Sequence, residues 1–232
     1  MKRQISYLQD EMQVLKRTRE KRRKGVLVWD VFHRLWHWAF ALTVIFSLVT
    51  GLMGDLTIME IHMRLGYVVI GLLVFRCGWF FWGGQYARWR NYKPSWRLTL
   101  AYFKGAVAPR AHTPPGILMG LGLMVLVLVQ ALAGLFVSDD IINSGPLAKH
   151  SSDLVVDYMG WLHNRLFWLV IALVAVHLLA HAIYLYKKNY DVLSMFDGRK
   201  ALNLQPAEIT PNRGFFLVLV STALVLTFLQ IA

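Results

Sequence analysis

Long apolar runs alternate with short polar and charged segments along this chain. Five runs, at roughly 34–53, 62–82, 116–137, 163–186 and 214–232, approach or exceed the ~20 residues a helix needs to cross ~30 Å of hydrocarbon. The last, FFLVLVSTALVLTFLQIA, is the shortest. The pattern predicts an all-α, multi-pass membrane protein. Ahead of the first run, MKRQISYLQDEMQVLKRTREKRRKG is polar and charged, which is not the layout of a signal peptide. Within it Ile5, Leu8, Met12 and Leu15 recur with a/d-like spacing. Residues 1–25 are therefore expected as a short cytoplasmic helix that docks on a partner or lies on the membrane surface.

Composition agrees: 56% of the 232 residues are apolar, with nine Trp and thirteen Phe. The formal charge of +12 raises nucleic acid as a partner, but its distribution argues against that. Basic residues crowd the segment before span 1, the connection between spans 2 and 3 (Arg88, Arg90, Lys93, Arg97, Lys104, Arg110) and the end of span 4 (Lys187, Lys188, Arg199, Lys200). The other connections are acidic, with Asp55 and Glu60, then Asp139, Asp140, Asp153 and Asp157. This is the positive-inside alternation, so the charge reports topology: the N-terminus is expected in the cytoplasm and the C-terminus outside. Trp29, Trp36, Trp38, Trp79, Trp82 and Trp161 near the span ends fit an interfacial aromatic belt. Cys77 is the only cysteine, which excludes an internal disulfide, a cysteine-ligated iron–sulfur cluster and a CxxCH haem attachment.

Histidine placement carries the chemistry. Six of the eight histidines lie in or at the ends of spans: His33 and His37 on span 1, His62 on span 2, and His163, His177 and His181 on span 4. Ionisable groups in a membrane need a reason. Read with the topology, His62 and His163 share the outer depth. His177 follows His163 by fourteen residues, about 21 Å deeper on nearly the same helical face, and meets His37 at the inner depth. Two histidine pairs, each bridging two helices, suit two bis-histidine haems stacked across the membrane. His33 and His181, each four residues from an inner candidate, remain alternative inner ligands. Gly51, Gly120 and Gly134 fall at the haem depths, where a missing side chain would give clearance for a porphyrin; ordinary packing of membrane helices is the alternative. Arg76, fourteen residues after His62, and Arg34 are candidate propionate contacts; a snorkelling helix-end arginine is the alternative.

These residues resemble the bacterial cytochrome b561 group, which includes the b-type cytochrome subunits of nickel–iron hydrogenases. The carriers are VWDVFHRLWHWAF, IHMRLGYVVIGLLVFRCGWFFWGGQYARWRNY, VLVLVQALAGLF, GPLA and WLHNRLFWLVIALVAVHLLAHAIYLYKKNYDVLSMFDGRK. The span 4 histidine pair is also similar to that of the formate dehydrogenase cytochrome subunit. The resemblance implies a four-helix transmembrane bundle holding two b haems, with His37 and His177 on the inner haem and His62 and His163 on the outer. It implies a subunit of a multisubunit respiratory complex in the bacterial inner membrane. Electrons would pass between a periplasmic redox subunit or c-type cytochrome and membrane quinone. On this reading the chain divides into the basic segment 1–25, the dihaem bundle 26–200, and a linker with an additional C-terminal span, 201–232. Two other readings stand beside it: a standalone quinone-linked oxidoreductase such as a superoxide oxidase, and a non-haem metal transporter or structural anchor. The acidic outer loops disfavour the first, and ligands separated into two depths disfavour the second.

Overall fold

The computed structural model describes Gln4, Met12, Gln13 and residues 25–108, 110–138, 143–202, 204–208 and 210–231. The rest of the expected N-terminal helix, with Ile5, Leu8 and Leu15, lies outside the described residues, as do Asp139 and Asp140. In chain order the elements are β1 (Val26–Leu27), α1 (Val31–Met53), α2 (Leu56–Trp82), α3 (Trp96–Phe103), α4 (Pro114–Gly134), α5 (Asp153–Tyr186), α6 (Ser194–Asp197), β2 (Arg199–Lys200) and α7 (Pro211–Ile231). Five of the helices, α1, α2, α4, α5 and α7, are long and apolar enough to cross a membrane. The protein is an all-α, multi-pass membrane bundle.

The local chemistry explains where these helices begin and turn. Asp30 caps α1 by accepting the His33 amide at 2.8 Å, and Gly54, with φ of +65°, ends it in the left-handed conformation that glycine tolerates best. Only Gly54 and Asp55 separate α1 from α2, so the two pack as a tight antiparallel hairpin. Thr113 caps α4, with Pro114 at its first turn, where a missing amide is harmless. Two helices start earlier than hydropathy predicts, α2 at Leu56 and α5 at Asp153. The first turns of α5 carry Asp153 and Asp157, which suit the positive end of the helix dipole but hide the helix from a hydropathy window. At 34 residues, about 51 Å, α5 is longer than the hydrocarbon is thick.

The hairpin α1–α2 packs on α4 through α2, α4 packs on α5, and α7 lies against the outer side of α2. Helices α1 and α5 are not closely packed against one another. One valine from each of the four bundle helices, Val44, Val69, Val127 and Val170, forms a buried layer at mid-height. Each sits seven residues from both sequence landmarks on its helix: His37 and Gly51, His62 and Arg76, Gly120 and Gly134, His163 and His177. At one end of the bundle β1 pairs antiparallel with β2, Val26 opposite Lys200 and Leu27 opposite Arg199, a clasp that ties the start of α1 to the segment after α5. The Ala207 amide adds a bond to the Leu27 carbonyl at 2.7 Å and draws the linker to α7 into the same end.

Candidate functional site

The four-helix part of the bundle carries polar chemistry at two levels, separated by the valine layer. At the level away from the clasp, His62 of α2 faces His163 of α5, with ring centroids 6.0 Å apart and ring planes at 86°. Both rings are anchored by Nδ1. His62 donates to the Ser47 carbonyl at 2.9 Å and His163 to the Gln130 carbonyl at 2.9 Å. The Ser47 and Thr50 hydroxyls stand 3.5 and 3.3 Å from the His62 Nδ1. With Nδ1 carrying the proton, Nε2 of each ring keeps its lone pair for a metal. Two imidazoles bound in line to one metal, at about 2.0–2.1 Å each, have ring centres about 6 Å apart. The observed spacing fits that arrangement.

A cavity of about 650 Å³ opens around this pair, lined by residues of α1, α2, α4 and α5 that include Val44, Gly51, Gly66, Tyr67, Gly134 and Phe167. Among the glycines expected to give clearance, Gly51 and Gly134 back directly onto the His62 and His163 rings, whereas Gly120 faces open space. Gly66, four residues after His62, also has nothing within 4 Å of where a Cβ would stand and lines the cavity itself. Its spacing from His62 was the available signal. Tyr67 Oη and Gln130 Oε1 are buried here without a hydrogen-bond partner.

At the level nearer the clasp, His37 of α1 and His177 of α5 lie within electrostatic reach of one another, and His181 within reach of both. The His181 Nδ1–H donates back to the His177 carbonyl at 2.8 Å, and the two rings are 4.4 Å apart. His33 is within electrostatic reach of His37 as well, but not of the other two. It is buried between Trp29 and Trp36, with ring centroids at 5.1 and 5.8 Å, on the face of α1 that meets α2.

Arg76 is 1% exposed, not a snorkelling helix-end residue. Its guanidinium lies 3.7 Å from the Phe80 ring centroid, with Tyr92 and Trp36 at 5.1 and 5.3 Å, and Nη1 donates to the Ala87 carbonyl at 3.2 Å. Nε and Nη2 of Arg76, Nε of Arg34, and Nδ1 of His33 and of His37 are all buried without a partner. Arg34 is held by the Phe196 carbonyl, 2.7 Å from its Nη1. Several buried nitrogens without acceptors at one end of a bundle suit a bound group that brings acidic oxygens.

Sequence reasoning missed the polar cap behind Arg76. Asp30 is buried, and its Oδ2 accepts the Trp79 indole N–H at 3.2 Å. Burial raises its carboxyl pKa, against the opposing pull of these hydrogen bonds and of Arg76. His112 donates to the Tyr86 carbonyl at 2.6 Å and packs on Tyr92 and Trp29, and burial lowers its pKa to about 4. Lys200 donates to the Ala111 carbonyl at 2.8 Å, and burial lowers its pKa too. Among the described residues no group of three or more His, Cys, Asp or Glu side chains is arranged to hold a metal ion.

Compared with known proteins, the chain matches the family model for prokaryotic cytochrome b561 over residues 28–198, which runs from just before α1 to the glycine after α6 and leaves α7 outside. No curated protein and no solved structure matches it.

Proposed function

Because the chain belongs to the prokaryotic cytochrome b561 family, whose members are membrane b-type haem electron-transfer proteins, we propose that it is a dihaem cytochrome serving as the membrane subunit of a respiratory complex. The observation that carries this reading is the His62–His163 pair: two rings at metal-sharing distance, each with Nδ1 tied to a backbone carbonyl, beside a cavity of about 650 Å³. His62 and His163 hold the outer haem, and His37 and His177 hold the inner one. Haem iron, when bound, supplies one-electron redox chemistry.

The chain's own residues then have defined tasks. The carbonyls of Ser47 and Gln130 fix the tautomer and aim of the outer ligands. Arg76 and Arg34 each keep buried guanidinium nitrogens that suit the inner propionates. The sparse backbone contact between α1 and α5 suits a flat macrocycle that close packing of the two would exclude. In the positive-inside orientation the clasp end is cytoplasmic. Electrons enter or leave at the outer level through a periplasmic redox subunit or c-type cytochrome, and at the inner level through membrane quinone.

The test is a pyridine haemochrome and reduced-minus-oxidised spectrum on purified protein, with His62→Ala, His163→Ala, His37→Ala and His177→Ala. Two b haems per chain are expected, falling towards one in each variant, with the first pair of substitutions sparing the inner haem and the second the outer. Folded wild-type protein without haem would overturn the reading.

A further inference from the structure

Gly51 and Gly134 occupy equivalent positions relative to the two outer histidines. A Cβ built on Gly51 would stand 3.0 Å from His62 Cε1 and 3.3 Å from its Nδ1; one built on Gly134 would stand at the same two distances from the same two atoms of His163. The carbonyl accepting each Nδ1–H belongs to the residue four earlier, Ser47 for Gly51 and Gln130 for Gly134. In a helix the Cα–Cβ bond leans towards the N-terminus, so a side chain covers the turn before its own Cα. Any residue other than glycine at 51 or 134 would therefore crowd the imidazole ring where it docks on that carbonyl.

We propose that Gly51 and Gly134 are positioning residues. Each forms, with the carbonyl one turn before it, a socket that seats an outer imidazole with Nδ1 protonated and Nε2 free. This rests on the haem reading and gives these glycines a task different from porphyrin clearance, which falls to Gly66, whose missing Cβ opens onto the cavity. The two sockets lie on different helices, α1 and α4, and receive rings from α2 and α5, so packing within a single helix does not account for both. They differ in one respect. The Ser47 and Thr50 hydroxyls stand beside the His62 Nδ1, whereas among the described residues no hydroxyl is paired with that of His163.

The socket has an electronic consequence. An Nδ1–H held by a carbonyl makes the imidazole a stronger donor through Nε2, which favours the oxidised metal and lowers its reduction potential. An added methyl at 51 or 134 would displace the ring by a few tenths of an ångström and weaken that bond.

The experiment is a redox titration with low-spin EPR on purified wild-type, Gly51→Ala and Gly134→Ala proteins, with Gly122→Ala as control, since Gly122 is exposed and its Cβ would meet nothing within 4 Å. Each socket variant should move the outer haem to higher potential and shift its largest g value, while the inner haem and the Gly122→Ala protein stay at wild-type values. Loss of the outer haem alone in a socket variant supports the same role. Wild-type potentials and g values in both variants would overturn it. A measurement on the unaltered protein guards against variants that fail to fold: nitrogen hyperfine spectroscopy with labelled histidine should find both outer ligands protonated and hydrogen-bonded at Nδ1, and an unprotonated or free Nδ1 sinks the proposal. Haem-free wild-type protein would instead remove the haem reading on which it rests.

Discussion

Asp30 does two things with one carboxylate. One oxygen caps α1 and the other accepts the N–H of Trp79, a residue with no exposed surface. Asp30→Ala removes the cap, worth about 1 kcal/mol, and strands a buried indole donor, worth about 1–3 kcal/mol. A loss of about 2–4 kcal/mol is expected in thermal or denaturant unfolding, with Asp30→Asn losing less because its amide oxygen still caps the helix. His112 gives a pH signature. Burial holds its folded pKa at about 4, repulsion from Lys200 and Arg76 adds to the lowering, and the Tyr86 bond opposes it. An unfolded histidine takes its proton near 6.5, so between these values unfolding is accompanied by proton uptake. Its contribution is complete above pH 6.5 and is lost as the pH falls towards 4, by about 3 kcal/mol. Stability measured against pH should lose that part of its slope in His112→Gln; an unchanged slope would assign it to other groups. Neither residue was legible as a site from sequence, because Trp79 lies 49 positions from Asp30 and Tyr86 lies 26 from His112.

Among the helices, α7 shows how an added element attaches without entering the histidine levels. Gly71 and Gly78 are seven residues apart on one face of α2, and α7 fills both positions. A Cβ at Gly71 would stand 2.5 Å from Val225 and 3.2 Å from the Ser221 carbonyl, and one at Gly78 would stand 2.5 Å from Leu217. Small residues let membrane helices approach this closely. Gly71→Ile should force α7 outward and cost about 1–3 kcal/mol of stability, with the haem-to-protein ratio held at the wild-type value. A fall in haem content would instead make α7 part of the cofactor scaffold. The sequence disclosed the existence of this helix through its apolar run, but not its seat, since the spacing of Gly71 and Gly78 does not say which neighbour they face. The ends of α2 and α5 were illegible for a related reason: hydropathy marks the lipid-facing stretch and not the polar turns that continue the helix beyond it.

At the scale of the whole molecule, what could be read in advance was depth. Counting residues along alternating spans matched His62 to His163, and the structure brings their rings to 6.0 Å. Lateral position was not legible by the same counting. Arg76 could be placed at the right height, yet its burial depends on Phe80, Tyr92 and Trp36, which come from three separate segments. The clasp was equally hidden, since two-residue strands carry no periodicity and the Arg199 bond to the Gly25 carbonyl spans 174 positions.

The four valines at mid-height decide what can pass through the bundle. They offer no group that binds a proton or coordinates an ion, and moving a bare ion into so apolar a layer costs on the order of 20 kcal/mol by idealised solvation. On the dihaem reading proposed above, an electron needs no such stations, because it would tunnel through aliphatic carbon between the two histidine levels. The layer is therefore an insulator to ions and, on the same reading, a conductor to electrons. On that reading it would let the protein wire one face of the membrane to the other while the membrane stays charged, and each electron crossing the full field would exchange about 2.3 kcal/mol per 100 mV with the stored voltage.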